Sequence, residues 1–324
     1  MTARHQTLPN LYDVDLRLLR VFYAVVQSQG FAASQRELGI SASNISVHIG
    51  QLEKRLDVRL CERGRKGFRL TDEGKLIYEA TLNLFRATDN FRGVVGSARG
   101  KLVGEIHFGF VDAIMTNQSL EVVEAIADFA ITAPDVHLNL DISSPQELIQ
   151  GLTEDRYHAV LSPQLERREL VAYVPFREER KSLYCGKNHP LFDRCDADIS
   201  LEELAECPAV ARSYMSEWVV SGDVKFNTAA TASHMESVAL MILSGRYIGF
   251  LPDHFAARWV KDGVFRALRE DALSYVDWFF LGFRKNERNR TALAFIDALS
   301  RHAASDSASA RHLGKFQRQY PLDT

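Results

Sequence analysis

The stretch of residues 31–56, FAASQRELGISASNISVHIGQLEKRL, restricts the fold more than any other part of the chain. In its second half, aliphatic side chains recur at intervals of four, three and four residues: Ile45, Ile49, Leu52 and Leu56. This spacing predicts a helix with one buried face. Before it, residues 32–38 suit a shorter helix, and Gly39 suits a turn with positive φ. Two helices joined in this way predict a helix-turn-helix motif.

A polar stripe flanks the buried face one residue earlier in the same helix: Asn44, His48, Gln51 and Arg55. Adjacent helical positions are about 100° apart, so this stripe lies toward solvent beside the apolar one. Ser41 or Ser43 can cap the helix. In a helix-turn-helix, the first residues of the second helix reach base edges in the major groove. The candidate readers are Ala42, Ser43, Asn44, Ser46 and Val47. Taken alone, the stretch also fits an ordinary amphipathic helix with a solvated face.

A basic turn follows in the sequence CERGRKGFRLTDEG. Four cations surround Gly64 and Gly67 in this turn: Arg63, Arg65, Lys66 and Arg69. Phe68 and Leu70 alternate with polar residues, which is typical of a strand. The pattern predicts a two-stranded hairpin, or wing, with cations that lie against DNA phosphates. Its position directly after the helix-turn-helix favours this interpretation over a solvated loop.

Residues 16–74 resemble the DNA-binding domain of LysR-type transcriptional regulators. The positions that match in register are Phe22, Phe31, Ala33, Leu38, Ser41, Ser46, Ile49, Leu52, Glu53, Leu56, Leu60, Arg63, Leu70, Thr71 and Gly74. The chain departs from the family pattern at Ala42 and Ser43 (usually Gln-Pro), Val47 (often Arg) and Cys61 (usually Phe). These departures concern the bases that are read rather than the fold. The resulting DNA-binding candidates are Ser41, Ala42, Ser43, Asn44, Ser46, Val47, His48, Gln51, Arg63, Arg65, Lys66 and Arg69.

Residues 72–97 predict one long helix without a proline. Its apolar positions are expected on one side: Leu76, Ile77, Ala80, Leu84, Phe85, Thr88 and Phe91. A lone helix with an apolar side needs a partner, so a second copy packed antiparallel is expected. The family resemblance implies the same dimer and adds assembly into tetramers. Four glycines are expected to end the helix and give a flexible exit: Gly93, Gly96, Gly100 and Gly104.

From about Leu102, short strands alternate with helices, which predicts a parallel sheet covered on both faces. A crossing into a second lobe is expected at Ser162 and Pro163. The segment SHMESVALMILSGRYIGFLPDHFA resembles the effector domain of the same family, which is similar to periplasmic solute-binding proteins. The predicted fold class is therefore α+β multidomain, with a winged helix-turn-helix, a linker helix and a two-lobed α/β effector domain.

These interpretations give an expected domain division. The expected segments are the DNA-binding domain 14–71 with its helix-turn-helix 31–50, the linker helix 72–97, the effector domain 102–300 and a tail 301–324. The first lobe is expected to hold residues 102–162 and 265–300, and the second lobe residues 163–264.

In such α/β folds, small molecules bind beyond the carboxyl ends of the strands. Thr116 and Asn117 are expected to open the helix after the first strand, where backbone N–H groups suit an anion; helix capping alone is the alternative. The full set of effector-binding candidates is Thr116, Asn117, Ser162, Arg212, Ser213, Tyr214, Ser233 and His234. Hydroxyls, an arginine and helix N-termini favour a carboxylate-bearing or aromatic effector.

Charge is distributed unevenly along the chain. Residues 1–100 carry 15 basic and 10 acidic side chains, whereas the remainder carries 24 and 32. This asymmetry suggests a polyanion-binding module on an acidic body. No apolar run of membrane-spanning length and no signal-peptide pattern occur, so no membrane partner and a cytoplasmic location are expected.

No enzyme motif is present among G-x-S-x-G, G-x-x-x-x-G-K-[ST], H-E-x-x-H and G-x-G-x-x-G. The four cysteines lack zinc spacing, and Cys185 with Cys195 leaves a redox pair as an alternative to reduced thiols. The sequence therefore predicts a regulator without catalytic activity, metal or cofactor, whose partners are duplex promoter DNA, a small-molecule effector and further copies of itself. An enzyme or a solute receptor that uses the α/β body is the alternative.

Overall fold

A computed structural model describes residues 12–62, 68–98, 100–163, 166–214 and 224–303. The chain divides into two compact units, Met1–Asp89 and Asn90–Thr324. The predicted tail lies outside the described residues from position 304 onward. In the described part of the chain, no helix is both long and apolar enough to cross a membrane.

The first unit contains four helices and a small hairpin within its described residues. These elements are α1 Asp13–Gln27, α2 Gln35–Leu38, α3 Ala42–Leu56, β1 Cys61–Glu62, β2 Arg69–Leu70 and α4 Asp72–Ala98, whose end continues into the second unit. Ile45, Ile49 and Leu52 are fully buried and pack with residues of α1, among them Phe22. The apolar stripe of the helix-turn-helix is thereby confirmed.

The turn before α3 follows the sequence prediction. Gly39 has φ 66°, the left-handed conformation that glycine adopts without steric cost. Ser41 is the N-cap of α3, and its side-chain oxygen accepts the backbone N–H of Asn44. This hydrogen bond satisfies one of the donors that a helix N-terminus leaves unpaired.

Helix α4 divides its apolar residues between two sides. Ile77, Leu84 and Phe85 pack against the core of the first unit, whereas Leu76 and Phe91 are each 67% exposed. The expectation that all of them share one side is wrong. The buried side is occupied by the helix's own unit, and a different stripe remains exposed.

Gly93 and Gly96 lie inside α4 rather than at its end, so the expected helix break there is wrong. A Cβ at Gly93 would lie 3.3 Å from the side-chain amide atoms of Asn289. At Gly96 it would lie 2.1 Å from Cγ2 of Val103. The two glycines therefore permit close packing, while Gly100 with φ 71° follows the end of the helix.

The second unit is an α/β body built on one sheet. Its elements are β3 Gly104–Phe110, α5 Val122–Thr132, β4 Val136–Ile142, α6 Pro145–Thr153, β5 Ala159–Pro163, β6 Val171–Gly186, α7 Leu201–Glu206, β7 Pro208–Arg212, β8 Asn227–Ala232, α8 Met235–Leu243, β9 Ile248–Pro252, α9 Asp253–Lys261, β10 Phe265–Leu268, α10 Glu270–Leu273, β11 Tyr275–Arg284 and α11 Arg290–Ala303. The strand order is β4-β3-β5-β11-β6-β9-β7-β8, and β10 pairs with β6.

Each lobe contains a parallel group of strands, as predicted. Strand β3 pairs in parallel with β4 and β5, and β7 pairs in parallel with β8 and β9. The long strands β6 and β11 join the two groups through antiparallel pairing. Within each group the carboxyl ends of the parallel strands lie at one edge, so the segment after β3 in the first lobe and the segments after β7 and β8 in the second are candidates for a ligand site.

Strand β6 runs without a break from Val171 to Gly186 and takes part in both lobes. Its first half pairs with β11, and Val171, Tyr173 and Phe176 lie in the core of the first lobe. Its last residues pair with β9 and β10 of the second lobe. This pairing places the passage between lobes within β6, not at Ser162 and Pro163 as expected. The return lies at β11 rather than near residue 265, because β10 still pairs with β6 of the second lobe.

Candidate DNA-binding surface and effector site

The N-terminal part of α3 presents a small exposed surface. Ser43, Asn44, Val47 and Gln51 are exposed, and Val47 keeps 56% of its surface accessible. Ala42 and Ser46 are half-buried beside them. Ser41 caps the helix that carries these side chains, and its hydroxyl lies 2.8 Å from that of Ser43. Hydrogen-bonding and apolar groups therefore lie together on a fixed helix end.

The polar stripe of α3 does not remain solvated along its whole length. Nε and Nη2 of Arg55 both donate to the carboxylate of Asp15 in α1, and the Nη2–Oδ2 distance is 2.7 Å. The hydrogen bond from Arg55 holds the pKa of Asp15 below its usual value although burial opposes this. Nδ1 of His48 is buried and has no hydrogen-bond partner among the described residues. Of the stripe, Asn44 and Gln51 are the exposed members.

The wing forms as an antiparallel pair in which Cys61 faces Leu70 and Glu62 faces Arg69. Glu53 of α3 anchors it, because its Oε1 accepts the backbone N–H groups of Leu60 at 2.8 Å and Cys61 at 3.2 Å. Arg69 is exposed. The other three cations predicted for the wing lie outside the described residues: Arg63, Arg65 and Lys66.

A buried ion pair joins the two lobes of the body. Asp112 follows β3 in the first lobe, and Arg212 ends β7 in the second. Nη1 of Arg212 donates to Oδ2 of Asp112 at 2.9 Å, and Nη2 donates to Oδ1 at 2.8 Å. Both side chains are only 6% exposed. Burial lowers the pKa of Arg212, but its hydrogen bonds to Asp112 and the nearby Asp112 and Tyr214 raise the pKa above its usual value.

Several sequence-predicted effector residues gather around this pair. The backbone N–H of Met235, the first residue of α8, donates to Oδ2 of Asp112. His234 lies with Nδ1 3.7 Å from the same oxygen and is 58% exposed. Cζ of Arg212 lies 4.8 Å from the ring centroid of Tyr214. The Ser213 hydroxyl donates to that of Ser233 at 3.3 Å.

The remaining three candidates make their hydrogen bonds elsewhere. Thr116 ends a short 3-10 turn and Asn117 separates it from a second one. Helix α5 begins only at Val122, so the expectation that the two residues open this helix is wrong. Glu121, with φ 49°, separates the turns from α5. Asn117 is buried and accepts the Ser119 hydroxyl. Ser162 is fully buried and donates to the carbonyl of Pro163.

Thr116 takes part in a second polar network that reaches the long strands. Its hydroxyl lies 2.8 Å from Nδ1 of His254, whose Nε2 lies 2.8 Å from Oε1 of Glu179. Lys181 lies 3.3 Å from Glu179 and 2.6 Å from Asp277. Burial lowers the pKa of Lys181, but the neighbouring acidic groups raise it above its usual value. The network therefore retains a buried, charged lysine where the chain passes between lobes.

The described residues contain no group of three His, Cys, Asp or Glu side chains that could hold a metal ion. None of the four cysteines, all of which lie in the described part of the chain, forms a disulfide. Cys185 is fully buried in the core of the second lobe, and burial raises its pKa to about 12. A protonated, buried thiol is a poor nucleophile, which disfavours the redox alternative.

Sequence reasoning missed Asp112, Met235 and His254. Asp112 lies two residues after the apolar strand β3. Small molecules bind beyond the carboxyl ends of strands in such folds, so its place in the sequence could have indicated it. The roles of the Met235 backbone and of His254 depend on tertiary contacts with other segments, and neither has a signal in the sequence.

Two family descriptions match this chain and together cover most of it. Residues 16–75 match "Bacterial regulatory helix-turn-helix protein, lysR family", and residues 99–304 match "LysR substrate binding domain".

Relatives with the same organisation match over almost their full length. The chain is 36% identical to the HTH-type transcriptional activator BauR of Pseudomonas aeruginosa over 92% of this chain and 98% of the relative. It is 22% identical to the HTH-type transcriptional activator CmpR of Synechocystis sp. over 90% of this chain and 96% of that protein.

Solved structures match the fold at low sequence identity. Full-length CbnR complexed with its target DNA superposes with a TM-score of 0.63 at 20% identity, covering 89% of this chain and 99% of that chain. A full-length AphB variant superposes with a TM-score of 0.57 at 18% identity, covering 88% and 97%. These matches establish a shared fold of a helix-turn-helix unit and an α/β body.

Proposed function

This chain belongs to the LysR family of bacterial helix-turn-helix regulators, and we propose that α3 and the wing bind promoter DNA while an effector enters between the lobes of its body. It is a LysR-type transcriptional regulator with an effector-binding domain. The two named relatives are transcriptional activators, which disfavours the enzyme and solute-receptor alternatives.

The exposed N-terminal surface of α3 carries the DNA-binding proposal. Asn44 can bond bidentately to adenine, and the methyl groups of Val47 and Ala42 can contact a thymine methyl. Ser43, Ser46 and Gln51 add hydrogen-bonding groups on the same helix. Ser41 has a positioning role because its side chain caps the helix. His48 directs Nδ1 inward, so only its other ring edge is available to DNA.

The wing supplies positive charge for contacts with the DNA phosphates. Arg69 is exposed on β2, and we place Arg63, Arg65 and Lys66 of the connecting turn against phosphates on the basis of sequence. Phosphate contacts fix the register of a protein on the duplex, whereas base contacts determine sequence preference. The similar fold of CbnR, whose full-length structure was solved in complex with its target DNA, supports this use of the first unit.

Fluorescence anisotropy tests the DNA proposal. The probe is a labelled duplex from the region upstream of the protein's own gene, with a scrambled duplex of equal composition as competitor. Specific binding should exceed binding to the scrambled duplex by roughly 10³-fold or more and weaken as salt rises. Equal affinity for both duplexes, or affinity independent of salt, would contradict the proposal.

We propose self-association through the exposed side of α4. The exposed positions recur at intervals of four, seven, four and three residues: Leu76, Ala80, Ala87, Phe91 and Val94. These intervals follow the seam that one helix presents to another in a coiled coil. A second copy placed antiparallel would cover this stripe.

A second exposed apolar surface lies on the body. On α5, Val123 and Ile131 are 68% and 81% exposed, and Ala127 lies between them at helical spacing. At the edge of the sheet, β4 exposes Leu140 and Ile142. Two separate self-complementary surfaces generate a closed tetramer, whereas one gives a dimer. We therefore propose a homotetramer.

Light scattering after size-exclusion chromatography tests the assembly. Ile131→Asp should reduce the tetramer to dimers, and a further Leu76→Asp substitution should give monomers. Leu170→Asp serves as the matched control, because Leu170 is 67% exposed and lies outside both surfaces. A wild-type monomer at micromolar concentration would rule out both interfaces.

For the effector, we propose a small molecule with a carboxylate that binds Arg212. Arg212 is the buried cation among the gathered candidates. The exposed Ser213 and Ser233 bond to each other nearby, and the exposed His234 lies 3.7 Å from Asp112. Tyr214 offers an aromatic face to part of the ligand. An effector can move the lobes only if it prefers one arrangement over the other, and a charge placed between them supplies that preference.

The proposed location is the cytoplasm, since the promoter DNA that the protein binds lies there. We propose the domain division 14–71, 72–97, 102–300 and 301–324 on the basis of the sequence. Within residues 102–300, we propose that the chain passes from the first lobe to the second in β6 and returns in β11. The two family matches, at residues 16–75 and 99–304, support the outer limits of this division.

A further inference from the structure

Asp112 and Arg212 form a paired site in which each lobe supplies one charge. The two side chains are each 6% exposed and bond to each other through two parallel N–H···O contacts. Removing one partner from such a buried pair leaves an uncompensated charge, which is strongly unfavourable. Any ligand that enters between the lobes must therefore supply a partner of opposite charge to each of the two side chains.

A simple carboxylate cannot do this. It could take the guanidinium of Arg212, but Asp112 would then remain buried with the Met235 backbone N–H as its one retained hydrogen-bond donor among the described residues. Like charges would also face each other across the site. A simple amine fails in the opposite way, because it would satisfy Asp112 and leave Arg212 without a partner.

We propose that the effector is an amino acid, whose carboxylate binds Arg212 and whose ammonium group binds Asp112. This inference rests on the proposed effector role of the body and specifies the ligand class. When a zwitterion binds, two ion pairs with the ligand replace the Asp112–Arg212 pair, so neither lobe is left with an unpaired charge. The ligand and the closed Asp112–Arg212 pair compete for the same groups, which couples binding to separation of the lobes.

An unused donor of the site points to a ligand. Nε of Arg212 is buried and has no hydrogen-bond partner among the described residues, although both terminal nitrogens bind Asp112. A guanidinium that binds a ligand carboxylate through Nε and one terminal nitrogen would satisfy this donor. The ring of Tyr214 lies 4.8 Å from Cζ of Arg212. Ser213 and Ser233 follow the paired strand residues Arg212 and Ala232, and their hydroxyls can contact the rest of the ligand.

Isothermal titration calorimetry on the full-length protein tests the proposal. The probes are the common amino acids with 3-aminopropanoate and 4-aminobutanoate, each compared with its carboxylate lacking the amine and its amine lacking the carboxylate. One or more amino acids should bind at least about tenfold more tightly than either matched half, because each half loses a charge-assisted hydrogen bond.

Two substitutions should reverse this preference. Asp112→Asn removes the acidic charge but keeps a hydrogen-bonding group, so the matched carboxylate should bind about tenfold or more better relative to the amino acid. Arg212→Gln should shift preference toward the matched amine. Circular dichroism and binding to the promoter duplex report that each variant remains folded. A role in stability alone would lower the melting temperature without inverting ligand preference.

Three results would overturn the inference. They are tighter binding of a simple carboxylate than of its amino acid by the wild type, no binding by any panel member to protein that still binds promoter DNA, and an unchanged preference in folded Asp112→Asn. All three leave the DNA-binding proposal intact, whereas failure to bind promoter DNA would contradict the proposed function itself. If neither variant folds, the wild-type comparison decides alone.

Discussion

Arg55 of α3 donates from Nε and Nη2 to both carboxylate oxygens of Asp15, which lies 40 residues earlier in α1. By its spacing, Arg55 belongs to the polar stripe of α3, the helix proposed to contact bases. Its charge is nevertheless paired with Asp15 of the same unit. The ion pair fixes α3 on α1 and leaves the base-contact role to the helix's first half.

Arg55→Ala and Arg69→Ala should therefore have different effects on DNA binding. Arg55→Ala should lower the melting temperature, because Asp15 would lose its partner, and leave the salt dependence of binding unchanged. Arg69→Ala should leave the melting temperature unchanged and reduce the slope of log K against log[salt] by about 0.9, the value for one phosphate contact. Anisotropy titrations over a salt series measure both slopes, and a reduced slope for Arg55→Ala would assign that residue to the DNA contact.

Asn44→Ala should weaken specific DNA binding by about 1–3 kcal/mol, as expected for loss of a bidentate base contact. Binding to a scrambled duplex should change little, since phosphate contacts dominate it. The matched control is Asn188→Ala, which replaces another exposed asparagine in the body. Competition anisotropy with both duplexes measures the ratio. An equal loss of affinity for the two duplexes would show that Asn44 does not read bases.

Gly74→Ala and Gly50→Ala should change stability in opposite directions. A Cβ at Gly74 would lie 2.1 Å from the backbone oxygen of Leu60, so we expect a loss of roughly 1–3 kcal/mol from overpacking. Gly50 lies exposed within α3 with nothing within 4 Å, so alanine should add about 0.5–1 kcal/mol through helix propensity. Urea unfolding measures both; a neutral Gly74→Ala would mean that α4 can move away from the wing.

The contribution of His302 to the stability of the body should fall as pH rises. Burial lowers its pKa, but hydrogen bonds to Asp128 and Glu121, each 3.1 Å, raise it above the usual value. Because the folded pKa exceeds the unfolded value near 6.5, the stabilisation is complete below that pH and is lost as pH rises through the folded pKa. The effect should stay below about 1 kcal/mol for a partly exposed pair.

Thermal unfolding of the wild type and His302→Gln between pH 5.5 and 8.5 measures this effect. The difference between the two proteins should be largest at the acidic end and shrink with rising pH. Arg177 moderates the change, because its guanidinium lies 3.7 Å from Glu121 and also donates to the His302 carbonyl. A constant difference across the range would mean that His302 does not titrate with a raised pKa.

The helix-turn-helix could be predicted from sequence because local rules specify it. The spacing of Ile45, Ile49 and Leu52 sets the buried face of α3, Gly39 allows the turn and Ser41 caps the helix. Each of these depends on residues within one or two helical turns, and the structure has all of them. The alternation of strands and helices in the body likewise predicts its parallel strand groups.

Contacts between distant segments could not be predicted in the same way. The pairing of Arg55 with Asp15, the inward α4 glycines and the single long strand β6 all depend on which surfaces meet after the chain folds. The position of Thr116 after a strand predicts a place in the effector site, but its hydroxyl lies beside His254 of α9.

Local periodicity, caps and turns thus determined the DNA-binding unit and the α/β class from the sequence alone, since those features act over a few residues. Only the tertiary structure decided which charged side chains pair with each other. It joined Asp112 to Arg212 across 100 residues because burial forces each charge to find the partner that lies nearest in space.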